Sequence, residues 1–130
     1  MHNKSNKVYL TELHQDHQEW LIALAFYKDE LKSFSNRLGE VATANTASEI
    51  MQKVEHFQNQ FDIQSQNIAD LEHGIREDES RVVASVQANP VASEHRKLED
   101  NENLRENMDN FERVFSALKT DFIKFLRAVL

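Results

Sequence analysis

A chain of 130 residues with 40% apolar side chains has the size of one domain with one continuous core. Two glycines and one proline are too few for the many turns of a sheet protein, and the lack of cysteine excludes disulfides, thiolate zinc sites and cysteine nucleophiles. The formal net charge of -7 argues against nucleic acid or an anionic membrane as a partner, because both select for a basic surface.

The first predicted helix covers about residues 7–38. The opening MHNKSNK is polar and no long apolar run follows, so we expect no signal peptide, no membrane span and a cytoplasmic location. Apolar residues then recur at steps of three and four, the period of an amphipathic helix. Gly39 and the small polar residues after it predict a helix end and a loop over 39–47. The stripe is Leu10, Leu13, His17, Leu21, Leu24, Leu31 and Leu38.

Two further helices follow from their start signals. Thr46 and Glu49 have the spacing of a capping box, which predicts a second helix over 46–88. Pro90 suits a first helical position with Asn89 as the cap, which predicts a third helix over 90–129. Their apolar stripes are Ile50, Val54, Phe57, Phe61, Ile68, Leu71, Ile75, Val82 and Val86, and then Val91, Leu98, Met108, Phe111, Phe115, Leu118, Phe122, Phe125 and Val129.

These elements predict one all-α domain over 1–130, an antiparallel up-down bundle of three long helices with coiled-coil-like stretches. The first helix is the shortest of the three, so we expect the polar hairpin 78–102 to extend beyond it. Asp78 lies in that hairpin, at a stripe position where an apolar residue is expected. As an alternative, a bend at Gly74 divides the second helix into 46–73 and 76–88 and gives a four-helix bundle.

Catalytic motifs are missing from the sequence, since it has no glycine-rich phosphate loop, no nucleophile elbow and no H-E-x-x-H. We therefore expect no enzyme, and histidines and carboxylates remain as candidate ligands. A first loop centred near residue 43 places the first-helix histidines level with residues 69–73 on the second helix, and the second turn brings part of the third helix to the same height. Imidazoles and carboxylates suit zinc, iron or manganese. The candidate metal ligands are His14, His17, Asp70, His73, Glu77 and Asp100.

A family resemblance points to the same kind of site. HGIRE at 73–77 has the spacing H-x-x-x-E and HRKLED at 95–100 has H-x-x-x-x-D, and together they resemble parts of the hemerythrin pattern on a helical bundle. The family's H-x-x-x-H is absent from this sequence. The resemblance implies a di-iron centre that binds dioxygen. Its ligands would be His73, Glu77, His95 and Asp100, with His14 from the first helix.

Three functions are compatible with such a bundle. The first is a non-catalytic interaction or assembly module without a cofactor, dimeric through the third helix or bound to another protein, because the apolar residues of that helix cover more than one face. The second is a metal-binding bundle with iron or zinc between the helices. The third is a small-ligand pocket lined by Trp20, Tyr27 and phenylalanines. The apolar residues that widen the third helix's face are Phe111, Val114, Phe115, Phe122, Ile123, Phe125 and Leu126.

Overall fold

The computed structural model describes the backbone of residues 2–88 and 94–130 and the side chains of residues 10–84 and 101–130. In those ranges the chain forms three α-helices and no strand: α1 (His2–Ala44), α2 (Ser48–Ala88) and α3 (Glu94–Val129). The predicted all-α bundle of three long helices is confirmed. None of the helices, over the described ranges, is apolar for long enough to cross a membrane.

The helices alternate in direction. Late residues of α1 contact early residues of α2, since the rings of Phe34 and Phe61 lie 6.0 Å apart while His17 contacts Asp78. The same inversion relates α2 to α3, because Phe57 lies 5.1 Å from Phe125 and Phe61 lies 5.0 Å from Phe122. The chain therefore runs up, down and up, and α1 and α3 are parallel.

Apolar residues from all three helices form one core along the bundle axis. Phe122 has no exposed surface, and its ring lies within 5.3 Å of those of Phe34, Phe57 and Phe61. Aromatic pairs at this separation stabilise a core beyond the area they bury. The predicted stripes are confirmed where side chains are described. Leu13 and Val82 are buried at the polar end of the bundle, and the main buried cluster is Leu24, Leu31, Leu38, Val41, Phe57, Phe61, Ile68, Ile75, Met108, Phe111, Phe115, Leu118, Phe122 and Phe125.

The predicted end of the first helix is wrong by six residues. Gly39 lies inside α1 with no positive φ, and the helix continues to Ala44. The buried Val41 extends the apolar stripe past the glycine, so burial continues the helix where composition predicts a loop. Two side chains then bind carbonyl groups of the last turns: Thr43 Oγ1 donates to Gly39 O and Asn45 Nδ2 donates to Val41 O, each at 2.9 Å.

The second helix begins later than predicted and does not break. The amide of Met51 donates to the carbonyl of Ala47 at 3.0 Å, so α2 begins at Ser48, two residues after Thr46. Gly74 lies in the middle of this helix, which makes the four-helix alternative wrong for the described residues. The third helix is described from Glu94, and its predicted start at Asn89 and Pro90 lies outside the described residues.

The extra turns of α1 change how the helices match. Over the described residues α1 has 43 residues against 41 in α2 and 36 in α3, so it is the longest helix there rather than the shortest. The predicted overhang of the hairpin 78–102 beyond α1 is therefore wrong at its α2 side, because the amino-terminal half of α1 packs against Asp78 and Glu79. This contact builds the polar site described next.

Candidate functional site

A histidine and two carboxylates meet where α1 crosses the carboxyl-terminal part of α2. His17 has no exposed surface and Asp78 is 2% exposed, although both occupy positions of the apolar stripes. His17 Nδ1 lies 2.5 Å from Glu79 Oε2, and Nε2 lies 2.8 Å from Asp78 Oδ2. The Nε2 contact is an ion-pair contact without the alignment of a hydrogen bond. Both nitrogens of one buried ring thus face carboxylates.

Glu79 joins a second histidine to this arrangement. Its Oε1 is hydrogen-bonded by Nδ1 of His14, while its Oε2 contacts His17. His14 and His17 are three residues apart on α1, so they lie on one side of the helix and reach the same carboxylate. We call His14, His17, Asp78 and Glu79 the His–carboxylate cluster; its outer edge is open to solvent, because the His14 side chain is 49% exposed and that of Glu79 is 23% exposed.

The carboxylates decide the charge of the buried ring. Burial alone would lower the pKa of His17, but the close contacts with the negatively charged carboxylates of Asp78 and Glu79 outweigh it and raise the pKa above 6.5. Burial would likewise raise the pKa of Glu79, and the two histidines reverse that effect and lower it below 4.5. Because only the protonated ring carries N–H on both nitrogens, the geometry of His17 suits an imidazolium.

The third helix closes the cluster from another side. Arg105 donates to Asp16 Oδ2 at 2.6 Å, and its guanidinium lies 5.6 Å from the centre of the Trp20 ring. Trp20 in turn lies 5.9 Å from the ring of His17. Asn101 is 4% exposed and donates to the same Asp16 oxygen at 3.4 Å. All three helices therefore contribute polar groups to this level of the bundle.

Several buried oxygens at this level have no hydrogen bond from the described residues: both carboxylate oxygens of Asp78 and Oδ1 of Asn101. A buried polar atom without a hydrogen bond costs about 1–3 kcal/mol, and more when it is charged. Only the ion-pair contact with His17 offsets the burial of Asp78 within the described part of the chain. Buried charged groups of this kind occur at functional sites and also in structural ion-pair networks.

The structure assembles only part of the predicted metal site. His14 and His17 lie together as expected. Asp70 is exposed and accepts a hydrogen bond from Gln66 at 2.9 Å, and His73 pairs on the surface with Glu77 at 3.0 Å, with 77% and 53% of their side chains exposed. The side chain of Asp100 lies outside the described residues. Across the described ranges no three such side chains are already spaced to hold a metal ion.

Asp78 and Glu79 are the ligand-type residues that sequence reasoning misses. An acidic residue and a histidine, each in an apolar stripe, are the signal that could have paired Asp78 with His17. The predicted alignment of the α1 histidines with residues 69–73 of α2 is wrong because it assumes a loop centred near residue 43, whereas the loop spans 45–47. A loop centred at residue 46 moves the point opposite His17 six positions along α2, from residue 69 to residue 75, and Asp78 lies about one helical turn further on.

A second feature is an open groove between α1 and α3. Ile22 and Phe26 are 70% and 68% exposed and lie one turn apart on α1. The groove beside them is lined by both residues together with Glu19, Ala23, Tyr27, Glu30, Phe115, Ser116 and Lys119. We call it the Ile22–Phe26 groove. Apolar residues cover more than one face of α3 in the sequence. The four phenylalanines among them, Phe111, Phe115, Phe122 and Phe125, are buried inside the bundle.

Comparison with known proteins adds no relative to these observations. The chain matches no protein-family model, no curated protein and no solved structure. The hemerythrin resemblance therefore stays a prediction. Two of its residues, His73 and Glu77, form an exposed pair, and the side chains of His95 and Asp100 lie outside the described residues.

Proposed function

We propose that the chain is a non-catalytic assembly module that pairs with a second copy of itself through the Ile22–Phe26 groove. The observation that carries the proposal is the exposure of Ile22 and Phe26, about seven tenths of each residue, on one stripe of a helix. Contiguous apolar surface that is rimmed by polar residues marks interaction sites more often than single exposed apolar residues do. The burial of His17, which has no exposed surface from which to reach a substrate, supports the non-catalytic part of the proposal.

The floor of the groove suits an aromatic side chain. Tyr27 and Phe115 lie 4.7 Å apart between ring centres, and both line the groove beside Ala23. A phenylalanine from a second copy would pack against these rings and exchange water for aromatic contact. Burying one such side chain fully is worth about 1.5–3 kcal/mol.

Symmetry and charge favour a second copy as the occupant. In a two-fold contact one patch serves both subunits, so the exposed pair would contribute to the interface twice. The groove carries both signs of charge, because Lys119 pairs with Glu30 at 2.7 Å and Glu19 lies nearby on α1. Glu19 of one copy can approach Lys119 of the other, and the contact needs no oppositely charged partner protein.

Sedimentation velocity over a concentration series tests the proposal. We expect the unmodified protein to associate to a dimer of about 30 kDa, twice the 15.2 kDa chain. Phe26→Ser and Ile22→Ser should shift it to the monomer without loss of helical circular dichroism. Ile63→Ser and Val83→Ser remove similarly exposed apolar residues from α2 and are the matched controls.

Two results would contradict the proposal. One is an unmodified protein that stays monomeric up to 100 times the concentration used for the lowest sample. The other is a dimer that survives both α1 substitutions, or that is lost equally in the α2 controls.

A further inference from the structure

We propose that His14, His17 and Glu79 bind a single divalent transition-metal ion of the zinc class, with Asp78 orienting His17 from the opposite side of its ring. This inference is independent of self-association through the Ile22–Phe26 groove. It keeps two of the six ligands predicted from the sequence and replaces the other four with Glu79.

The candidate donors are neighbours in the structure. Nδ1 of His14 and Nδ1 of His17 each contact a different oxygen of the same Glu79 carboxylate. Two imidazole nitrogens and a carboxylate are a common ligand set for zinc, with bonds of roughly 2.0–2.2 Å. The set comes from two helices, so an ion bound there would also join α1 to α2.

An ion must replace the present contacts, because no described group is already spaced around a metal. Glu79 now accepts from both rings, and the ion would take the place of the two bridging protons. The side chains that must turn are those of His14 and Glu79, which are 49% and 23% exposed and have room in solvent to do so. His17, which is fully buried, would keep its position.

Asp78 gives the arrangement its second, independent support. It is buried, neither of its oxygens has a hydrogen bond from a described residue, and its Oδ2 lies 2.8 Å from Nε2 of His17. Histidines that bind metal through one nitrogen almost always give the other N–H to a carboxylate, a carbonyl or water, which fixes the ring and strengthens its basicity. With metal on Nδ1, the proton on Nε2 would face Asp78.

The ligand types select the ion. Imidazole suits zinc, iron, copper and nickel, whereas magnesium and calcium prefer sites made only of oxygen. The open edge at His14 leaves a position for water as a further ligand. Trp20 lies 5.9 Å from the His17 ring and is the only tryptophan of the chain, so all tryptophan emission comes from a ring beside this site.

The test is a zinc titration of the full chain, purified without a histidine tag and treated with chelator. Zinc competes with a chromophoric chelator, and Trp20 emission is followed in parallel. We expect one saturable site per chain. Glu79→Gln should weaken zinc binding by at least tenfold, His17→Gln should abolish it, and Asp78→Asn should weaken it by about 10–100-fold.

The matched controls come from the exposed pair His73 and Glu77, which has the same residue types on one helix. His73→Ala and Glu77→Gln should leave zinc binding unchanged. Glu79→Gln keeps the size of a partly exposed side chain, so it decides the test even where a His17 variant does not fold. Phe26→Ser should bind zinc as the unmodified chain does, which separates this inference from self-association.

Three outcomes would overturn the inference: no saturable zinc binding by the unmodified chain, equal binding by Glu79→Gln and the unmodified chain, or loss of binding in His73→Ala. The last would instead favour the ligand set predicted from the sequence. Cobalt(II), whose visible absorption reports its coordination, should show a bound spectrum that the Glu79→Gln variant lacks.

Discussion

His17 has an unusual position for a histidine, because its whole side chain is buried at an apolar stripe position and both of its nitrogens contact carboxylates. Replacing one member of a buried ion pair leaves the other uncompensated, which costs about 3–5 kcal/mol. Replacing both members with apolar residues is often neutral or stabilising. The stability of this cluster therefore depends on the pairing rather than on either residue alone.

His17→Leu should lower the free energy of unfolding by about 3–5 kcal/mol, because Asp78 stays buried without its partner. His17→Leu combined with Asp78→Leu should recover most of that loss. Urea unfolding at pH 6 in the presence of chelator measures both. The exposed His73→Leu is the control and should change stability by less than about 0.5 kcal/mol; a single His17 variant no worse than this control would show that Asp78 does not depend on His17.

The pKa shifts also give stability a pH dependence. The pKa of His17 is raised in the folded state, so its stabilisation is complete below 6.5 and is lost as the pH rises through the raised value. The pKa of Glu79 is lowered, so its stabilisation is complete above 4.5 and is lost as the pH falls through the lowered value. The cluster contributes most between these two limits.

We expect the difference in unfolding free energy between the unmodified chain and His17→Gln to be largest near pH 6 and to shrink toward pH 9. The glutamine retains hydrogen-bonding groups but carries no charge that pH can remove. Urea unfolding at half-unit steps of pH gives the comparison. A difference that stays constant from pH 6 to pH 9 would mean that the charge of His17 does not stabilise the fold.

At the scale of the helices, the two glycines show that packing can outweigh the low helix propensity of a residue. Gly39 and Gly74 both lie inside helices without positive φ, although sequence patterns favour a helix end at one and a bend at the other. A Cβ at Gly39 would meet nothing within 4 Å, and at Gly74 it would meet Leu104 at the ordinary contact distance of 3.5 Å. Neither position therefore requires glycine.

Gly39→Ala should raise the free energy of unfolding by about 0.5–1 kcal/mol, because alanine loses less backbone freedom in a helix. Gly74→Ala should also be stabilising. The reverse change at the exposed helical Ala25, Ala25→Gly, is the control and should lower stability by a similar amount. Thermal unfolding compares the three variants, and destabilisation by Gly39→Ala would indicate that α1 ends where the sequence predicts.

The period of the apolar residues was sufficient to predict the core. The stripes repeat over many turns, so one local exception does not change which face of a helix is apolar. Sequence signals predicted the ends of the helices less well, because the burial of Val41 outweighed the helix-breaking tendency of Gly39. The site was the least predictable part. A shift of a few residues in one loop changed the residues that face His17 from Asp70 and His73 to Asp78 and Glu79.

For the molecule as a whole, Phe122 connects the three helices. Its ring packs against Phe34 of α1 and against Phe57 and Phe61 of α2. Removing a buried phenylalanine side chain costs about 3–5 kcal/mol, since the lost contacts leave a cavity that the surroundings fill only in part. A site shared by three elements has little freedom to collapse.

Phe122→Ala should therefore lower the free energy of unfolding by about 3–5 kcal/mol. Phe122→Leu should cost less because it keeps much of the volume. Ile63→Ala, at a half-exposed position of α2, serves as the control and should cost far less than either. Chemical denaturation followed by circular dichroism gives all three values, and a Phe122→Ala variant as stable as the Ile63 control would contradict the central role of this ring.

The aromatic core around Phe122 and the His–carboxylate cluster lie toward opposite ends of the bundle, and this division has a consequence for motion. Regions with few apolar contacts open at lower free energy than the rest of a fold. Amide protons of α1 near His17 should therefore exchange with solvent through local separation of the helices, while those near Phe61 exchange only when the whole chain unfolds. A ligand that binds α1 and α2 together at the polar end must dissociate before either process, so it would slow exchange near His17 and near Phe61 alike.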